Sequence, residues 1–597
     1  MKLRFSTPVI AAIAALLLLA SCSKSNKQGK LIPKDAGFVL HINSKSIFEK
    51  INIAEVKQTD WYKQMMEQLD KDSTTPVFVK RLHENMASSG LDSTADIIFF
   101  GQKDSMDRMN LVLEGGLRDS KAFENFLKNI YPDGSVAKDG DIQTMAIMDH
   151  AILTWNNDRF IMGIKTPAMG GMYGMPRRDE ESGPGGPRLY NDTSNATIES
   201  TGLSDITSFC KNLYSLKESN SLGSDEKFTG LMNTEGDVHG WVNIEKLVGG
   251  SSLPMGMMSM IKLDAFTNGN ISTYTASFDK GKMSLKVKSF VGKDLDKILD
   301  KYSGGSINTD MIKNIPSENI DGVLAFHFKP GGLKELVKLS GMDGLLDLML
   351  IRQGFSVDDF VKANKGDLMI VFTDLQMKKD SLSFEGADKK MRSDVYDKPD
   401  VKVLFSAAIG DKDAFNKLIA AGKDVVGTES KVHYKTNANY FAIGTDATMV
   451  DQYLAGGKHE PAFLNKLSGN AIGGFVDIQK ILKAMPPDPA KDSLAKLMWD
   501  ESVKMWESAT LTGGDYSGGG INQVFEFNLL DKNTNSLKQL FQYTMTMSSF
   551  EQQKMKKMEA NNKIEAVTKI EPPVISDTAR VVQPRHTTRK TTGNKKK

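Results

Sequence analysis

Cysteine is almost missing from this sequence. Only Cys22 and Cys210 occur in 597 residues, which excludes a disulfide framework and a cysteine-rich zinc site. No segment after the first twenty residues approaches roughly 18 continuous apolar residues, so no later transmembrane helix is predicted. The composition, with 40% hydrophobic and 25% charged residues, is typical of a folded protein.

The motifs of the common enzyme classes are missing too. The sequence has no His-Glu-x-x-His, no paired Cys-x-x-Cys, no phosphate loop ending in Gly-Lys-Ser/Thr, no Gly-x-Gly-x-x-Gly after a strand and no Gly-x-Ser-x-Gly. We therefore predict no cofactor and name no catalytic residue. An enzyme of a less common type stays open as an alternative.

Basic and acidic residues balance over the whole chain but not along it. There are 76 lysines and arginines against 74 aspartates and glutamates, yet seven basic residues and no acidic one lie between Arg580 and Lys597. Without these, Lys2 and Arg4, residues 5–579 hold 67 basic and 74 acidic residues. The acidic body argues against nucleic-acid binding, whereas the tail could attract an anionic envelope polymer. The alternative is a solvated, disordered end.

The N-terminus is typical of a secretory signal followed by a lipid attachment site. Lys2 and Arg4 precede an apolar run at residues 9–20, which is too short to cross a hydrocarbon layer of roughly 30 Å. The run ends in Leu-Ala-Ser-Cys, which resembles the bacterial lipobox. It predicts a lipoprotein signal peptide at residues 1–21, lipidation of Cys22 and a linker at residues 22–30, with several acyl chains holding the membrane stably. The alternative is a cleaved signal peptide with a coincidental cysteine.

Four sequence blocks recur in the same order in the two halves of the chain. They are an apolar run before a helix (37–50 and 322–338), a strand, turn and helix (110–123 and 403–415), a hairpin turn (156–158 and 437–439) and a Gly-aromatic-Val-Asn/Asp-Ile segment (240–244 and 474–478). Asp119 and Asp411 are the predicted helix N-caps of the second block. This repetition predicts a tandem duplication.

The repeated blocks predict an α+β fold. Each copy combines sequential hairpins with helices that follow single strands, which predicts a largely antiparallel sheet with helices on one face. The predicted units are residues 31–305, with a flexible Gly/Pro/Met-rich insert at 166–200, and residues 314–547. A polar helix at residues 548–570 and a disordered basic tail at residues 571–597 complete the chain.

His41 and His327 lie on the predicted first strand of the two copies. Their neighbours Leu40 and Phe326 are apolar, so both imidazoles are expected on the opposite sheet face from those side chains. One hypothesis makes the histidines a symmetric pair of general bases or ligands in a cleft between the copies. The alternative is a pair of half-exposed strand histidines kept through duplication.

Methionine is frequent, with 32 residues, and it forms two clusters. Met169, Met172 and Met175 are spaced Met-x-x-Met-x-x-Met in the predicted insert, and four more methionines lie in residues 255–260. Thioethers suit Cu(I), which makes the first cluster a candidate metal site. The alternatives are an adaptable apolar contact surface and simple gap filling.

Several of these features together resemble the domain-of-unknown-function 4836 family of Bacteroidota lipoproteins. They are the lipobox, the Ile-Pro-Lys-Asp-Ala-Gly segment at residues 32–37, the Asp-capped Ala-Phe helices and the repeated Gly-aromatic-Val segments. The resemblance covers most of residues 31–550 and implies an envelope lipoprotein, without supplying catalytic residues. Residues 23–30 contain no acidic residue, whereas an acidic run after the lipidated cysteine would resemble the surface-export signal of Bacteroidota. We therefore expect an outer-membrane anchor facing the periplasm.

The sequence therefore predicts a lipid-anchored protein of the cell envelope. Its expected function is non-enzymatic binding or scaffolding in the periplasm, with a membrane contact through the N-terminal lipid and an envelope protein as partner. The alternative is an enzyme or a small-ligand-binding protein whose site lies between the two repeat units.

Overall fold

The computed structural model describes most of the chain between residues 29 and 568. The described residues are 29–51, parts of 53–82, 88–168, 201–248, 262, 264–385, 391–426, 432–488, 490 and 492–568. The structure is 39% helical and 36% strand, and every strand pairing is antiparallel, so the α+β prediction is confirmed.

Within the described ranges, the first half of the chain contributes ten strands to the sheet. They are β1 (Phe38–Ile42), β2 (Ile97–Lys103), β3 (Arg108–Gly116), β4 (Ala137–Asp139), β5 (Ile142–Met148), β6 (Ala151–Trp155), β7 (Arg159–Ala168), β8 (Val238–Asn243), β9 (Ile271–Asp279) and β10 (Lys282–Phe290). Its helices are α1 (Ser44–Lys50), α2 (Ile53–Gln58), α3 (Ser120–Ile130), α4 (Thr201–Tyr214), α5 (Glu226–Met232), α6 (Ile244–Val248), α7 (Asp264–Thr267) and α8 (Lys293–Tyr302).

The part of the second half that the structure describes contributes eight strands. They are β11 (Ile320–His327), β12 (Asn364–Glu385), β13 (Met391–Ile409), β14 (His433–Thr436), β15 (Tyr440–Gly444), β16 (Ile472–Val476), β17 (Trp506–Ser517) and β18 (Gly520–Leu529). Its helices are α9 (Thr309–Lys313), α10 (Pro330–Ser340), α11 (Asp343–Ile351), α12 (Val357–Ala363), α13 (Lys412–Val426), α14 (Ala447–Ala455), α15 (Leu464–Leu467), α16 (Ile478–Ala484), α17 (Ser493–Met505) and α18 (Ser536–Thr568).

All eighteen strands of the described residues belong to one hydrogen-bonded sheet. Their pairings give the spatial order 4-5-6-7-3-2-1-8-9-10-18-17-16-11-12-13-15-14. The order 7-3-2-1-8-9-10 in the first half is mirrored by 15-13-12-11-16-17-18 in the second. The halves meet where β10 pairs with β18, from Lys282 opposite Asn528 to Phe290 opposite Gly520.

Local sequence signals act in the same way in both halves. The Asp119 carboxylate accepts hydrogen bonds from the backbone N–H groups of residues 121 and 122 at the start of α3, and Asp411 accepts one from Ala414 N at the start of α13. The side chains of Asn156 and Asn437 each accept two backbone N–H bonds in their hairpin turns. The predicted caps and turns are therefore confirmed.

Helices cover both faces of the sheet in the first half, so the prediction of helices on one face is wrong there. On one face, Phe123 and Leu127 of α3 pack with Leu113 of β3. On the other face, Ile206 of α4 packs with Val112 of the same strand. Because consecutive strand residues point to opposite faces, the buried pair Val112 and Leu113 requires a covering layer on each side.

Two segments differ from the predicted boundaries. The stretch between the predicted units contains α9, capped by Asn308, and its Met311 and Ile312 are buried in the core of the second half. The predicted end of the second unit at residue 547 lies inside helix α18, which begins at Ser536 and continues into the predicted polar helix. None of the described helices is both long and apolar enough to cross a membrane.

A groove at the junction of the two halves

Polar side chains cover one face of the sheet where the two halves join. Three rows of residues paired across neighbouring strands lie on this face. The first row runs from His41 of β1 and His239 of β8 to Thr275, Lys286 and Val524. The other two rows are Ser277, Ser284 and Glu526, and Thr273, Lys288 and Asn522. Residues directly opposite one another in adjacent strands lie side by side on the same face. The rows therefore form a largely polar surface that spans both halves and is interrupted by Val524.

Two adjoining cavities lie on this surface. The first is about 470 Å³ and is lined by residues of β1, α1 and β8 to β10 together with Val524 and Glu526 of β18. The second is about 490 Å³ and is lined by residues of α5, β9 and β10 together with Asn522, Gln523 and Val524 of β18. They share Thr234, Lys286 and Val524, and we call the two cavities together the junction groove. Each is within the size range of small-molecule sites.

A pair of buried histidines, His41 and His239, lies at one end of the junction groove. Their Nδ1 atoms are 3.1 Å apart, and the side chains are 2% and 3% exposed. His239 Nε2 lies 2.8 Å from the Thr234 carbonyl oxygen, which can only accept, so this nitrogen carries the proton. The Nδ1 of neutral His239 then accepts from His41. His41 Nε2 lies 3.2 Å from Asp96 Oδ2, an ion-pair distance when His41 is protonated.

The environment of His239 favours its neutral form. Desolvation by burial is the main effect that lowers the pKa of His239, and the neighbouring His41 lowers it further. The hydrogen bond to the Thr234 carbonyl acts in the opposite direction without reversing the shift.

Gly236 packs closely against β9 at the same end of the junction groove. A Cβ at Gly236 would lie 2.4 Å from Thr275 Cγ2, so there is no space for a larger residue.

Asp237 is the buried carboxylate beside the histidine pair. It is 1% exposed, and Lys50 Nζ lies 2.6 Å from its Oδ2 atom. The Ser46 hydroxyl and the Phe278 backbone N–H also donate to it. Because a buried carboxylate is stable only when it is paired and hydrogen-bonded, this set ties α1 to the strands that line the junction groove.

Glu526 is the main charged contribution of the second half to the junction groove. Lys282 Nζ of the first half lies 3.0 Å from Glu526 Oε1, and Lys466 pairs with the other carboxylate oxygen. Burial alone would raise the pKa of Glu526, but hydrogen bonds from Lys466 and Lys282 outweigh burial and hold it below its usual range. The two halves are thus joined by an ion pair as well as by strand pairing.

His327 does not occupy the position equivalent to His41, and this corrects the predicted symmetric pair. Leu40 lies opposite Gly240 in the first half, and Leu324 lies opposite Gly474 in the second. This register makes Ala325 the counterpart of His41 and places His327 two residues further along. The sequence comparison matched the apolar runs of the two copies without knowing which strands they pair with. Because strand pairing sets the register, the comparison did not reveal the shift of two residues.

The two histidines also differ in their surroundings. His41 is buried, whereas His327 is half-buried, and its Nδ1 lies 2.8 Å from Asp367 Oδ1 of the neighbouring strand. His327 is not among the lining residues of either cavity of the junction groove. The alternative expectation of two half-exposed strand histidines therefore does not describe His41.

The other predicted site residues lie outside the described residues. These are Cys22, the methionines Met169, Met172 and Met175, the second methionine cluster at 255–260, and the tail from Arg580 to Lys597. Within the described ranges, no group of three or more His, Cys, Asp or Glu side chains is placed to hold a metal ion.

Cys210 is a free thiol with a packing role. Burial raises the pKa of the Cys210 thiol to about 12. Gly163 of β7 faces it so closely that a Cβ there would lie 2.3 Å from the sulfur. The cysteine therefore packs α4 tightly on the sheet and is unsuited to nucleophilic chemistry.

The sequence signal for most of the groove was present but incomplete. His239 stands one residue before the repeated Gly-aromatic-Val segment, and Asp237 two residues before that. Neither has an equivalent polar residue in the second copy, where Gly473 and Ala471 occur. A search for similarity between copies therefore passes over residues that differ.

Comparison with known proteins supports the family resemblance for part of the chain. Residues 29–169 match the model of the family described as "Domain of unknown function (DUF4836)". No curated protein matches the sequence. Crystal forms III and I of TP0453 each match with 10% identity over 45% of this chain and 81% of theirs, at a TM-score of 0.21. A TM-score this low carries no argument about fold or function.

Proposed function

We propose that this chain is a lipid-anchored binding protein of the cell envelope and that the junction groove is its ligand site. The observation that carries the proposal is the placement of both cavities across the pairing of β10 with β18. Ligand sites are concave and collect at the boundaries between structural units. The groove matches the expected position of a site between the repeat units.

The anchor and the duplication are parts of the same proposal. The mirrored strand order, the shared caps and the shared turns support a tandem duplication. The lipobox pattern supports lipidation of Cys22 and a periplasm-facing position on the outer membrane, and the match at residues 29–169 supports membership of the DUF4836 family. The basic tail would add an electrostatic contact with an anionic envelope polymer.

The groove is better suited to binding than to chemistry. Its two most buried carboxylates, Asp237 and Glu526, are each bound to lysines, Lys50 in the first case and Lys282 and Lys466 in the second. Paired charges fix structure and orient a ligand but are poor general bases. An enzyme at this site is therefore the less favoured alternative.

The test asks whether the groove holds a ligand in the protein as its own cells make it. In native mass spectrometry, the wild-type full chain should carry an additional small-molecule mass. Ser284→Trp, which fills the first cavity, should lose that mass, while Lys280→Trp at the exposed hairpin turn should keep it. A wild-type chain without any bound mass, or equal retention in Ser284→Trp, would contradict the proposal.

A separate experiment tests the lipid anchor. Labelled palmitate should appear in the wild-type chain and not in Cys22→Ser.

A scaffolding role is the second candidate, favoured by a projecting hairpin. In the described part of the chain, residues 376–385 of β12 and 391–400 of β13 pair only with each other. Leu382, Met391 and Val395 on this hairpin are 60%, 69% and 62% exposed. A two-stranded ribbon is marginally stable alone, so a partner that covers it would stabilise it. Deleting residues 378–398 should abolish in-cell crosslinking to a partner without changing ligand retention in the groove.

A further inference from the structure

Two lysines lie over one aromatic ring in the second cavity of the junction groove, and a third lysine lines the same cavity. The Nζ atoms of Lys227 and Lys288 lie 4.8 and 5.0 Å from the centre of the Phe290 ring. Lys286, two residues from Lys288 on the same face of β10, lines the same cavity. We call Lys227, Lys286 and Lys288 the lysine cluster.

Lys227 and Lys288 of the lysine cluster are half-buried, and Lys286 is exposed. Among the described residues, none of the cluster's three ammonium groups forms an ion pair with a carboxylate, whereas Lys50, Lys282 and Lys466 around the first cavity all do. The only carboxylate in the lining of the second cavity is that of the exposed Glu226. Like charges held close together repel, and a bound anion would relieve that repulsion.

Apolar side chains form part of the lining of the second cavity. Leu231, which is 6% exposed, Val287 and Phe290 line it from the first half and Val524 from the second, among threonines and the amides Asn522 and Gln523. Apolar side chains beside these cations fit a ligand with an anionic group and a hydrocarbon or aromatic body. The shared border at Lys286 and Thr234 leaves room for such a ligand to extend into the first cavity.

We propose that the second cavity binds an anionic amphiphile, with a carboxylate or phosphate group on the lysine cluster and an apolar body on Phe290. This inference rests on the proposed function, because it names the class of ligand for the same groove. The anionic group could come from a free single-chain acid or from the headgroup of a membrane lipid.

The experiment uses the full chain with Cys22→Ser, so that no acyl chain of the protein competes for the groove. Fluorescence titration with dansylaminoundecanoic acid should show saturable binding, and the methyl ester of the same probe should bind about tenfold more weakly or worse. The ester keeps the apolar body and removes only the charge. The comparison therefore isolates the contribution of the anionic group.

Variants locate the binding in the cavity. The double variant Lys286→Gln and Lys288→Gln should weaken binding of the acid by about tenfold or more and leave the ester within about twofold. Lys280→Gln and Lys293→Gln together, exposed at either end of β10, remove the same charge outside the groove and should change neither affinity. Phe290→Ala should weaken both probes.

The outcomes separate this inference from the proposed function. Equal binding of acid and ester, both lost in Ser284→Trp or Phe290→Ala, would overturn the anionic class while leaving a ligand groove. Binding of neither probe would also overturn the proposed anionic class of ligand. The mass retained in native mass spectrometry would then decide whether the groove holds a ligand at all. Cosedimentation with phosphatidylglycerol vesicles that is weakened in the double variant would identify a lipid headgroup as the source. Binding of the soluble acid alone would identify a free acid.

Discussion

The two halves share a strand order but not the chemistry at its equivalent positions. His41 opposite His239 in the first half corresponds to Ala325 opposite Gly473 in the second. Asp237 corresponds to Ala471, because the backbone N–H of Asn43 donates to the Asp237 carbonyl and the backbone N–H of the equivalent His327 donates to the Ala471 carbonyl. The difference teaches that one copy supplies the polar site and the other supplies a wall and an ion pair.

The halves also differ in how well they cover their sheet. In the first half, the face that carries Leu113 is closed by α3 and by a continuous core. In the second half, Leu324 and Phe372 on the corresponding face are 39% and 40% exposed. The first half therefore holds more of its apolar surface away from water, and its core substitutions should be the more damaging.

The largest expected effect compares equivalent phenylalanines in the two cores. Phe123 and Phe415 each lie four residues after a capping aspartate and are 0% and 3% exposed. Phe123 contacts the rings of Phe78, Trp155 and Phe160, whereas Phe415 contacts the single ring of Phe441. Phe123→Ala should lower the free energy of unfolding by about 4 kcal/mol and Phe415→Ala by about 2 to 3 kcal/mol, measured by urea denaturation.

Control variants test whether the two losses of unfolding free energy come from the removed ring volume. Phe123→Leu and Phe415→Leu serve as matched controls that keep most of the volume and should each lose less than their alanine variants. Equal losses at the two positions, or a larger loss at Phe415, would mean that the second half is packed as tightly as the first despite its exposed face.

Much of the fold could be predicted from the sequence because its signals are local. The caps at Asp119 and Asp411 and the asparagine turns depend on contacts within a few residues, and all were predicted correctly. The register of β11 depends on its partner β16, which lies some 150 residues away in the sequence and which an apolar run does not specify. The predicted equivalence of His41 and His327 failed for that reason.

The site was harder to predict than the fold, because its parts are distant in sequence. His41 meets His239 across 198 residues, and Lys282 meets Glu526 across 244. Neither pair forms a recognisable motif, since each partner is an isolated polar residue in a strand. The alternative hypothesis of a site between the repeat units stays a prediction, for which the junction groove is the candidate.

The next effect compares two lysines that follow the first strand of their halves. Lys50 binds the 1% exposed Asp237, whereas Lys334 binds the exposed Asp358. Lys50→Met should lower the free energy of unfolding by about 2 kcal/mol, because it leaves a buried carboxylate without its cation. The expected loss is smaller than for a fully buried ion pair because Lys50 is partly exposed. Lys334→Met should produce no resolvable change in urea denaturation.

A second substitution identifies the cause of that loss. If the unpaired charge is responsible, Asp237→Asn in the Lys50→Met background should recover part of the stability, since the remaining amide is neutral. No recovery would show that Lys50 acts through packing of its methylene groups on the strands instead of through its charge.

The smallest effect tests the protonation state of the histidine pair, which only the first half has. The pKa of His239 is lowered in the folded protein, so the unfolded chain takes up a proton first and stability falls as the pH drops below about 6.5 toward the folded-state value. His239→Gln can still donate to the Thr234 carbonyl but cannot titrate. It should flatten the dependence of the free energy of unfolding on pH between about 7 and 5. His433→Gln, on the exposed edge strand β14, should keep the wild-type slope, and an unchanged slope in His239→Gln would assign the pH dependence to other groups.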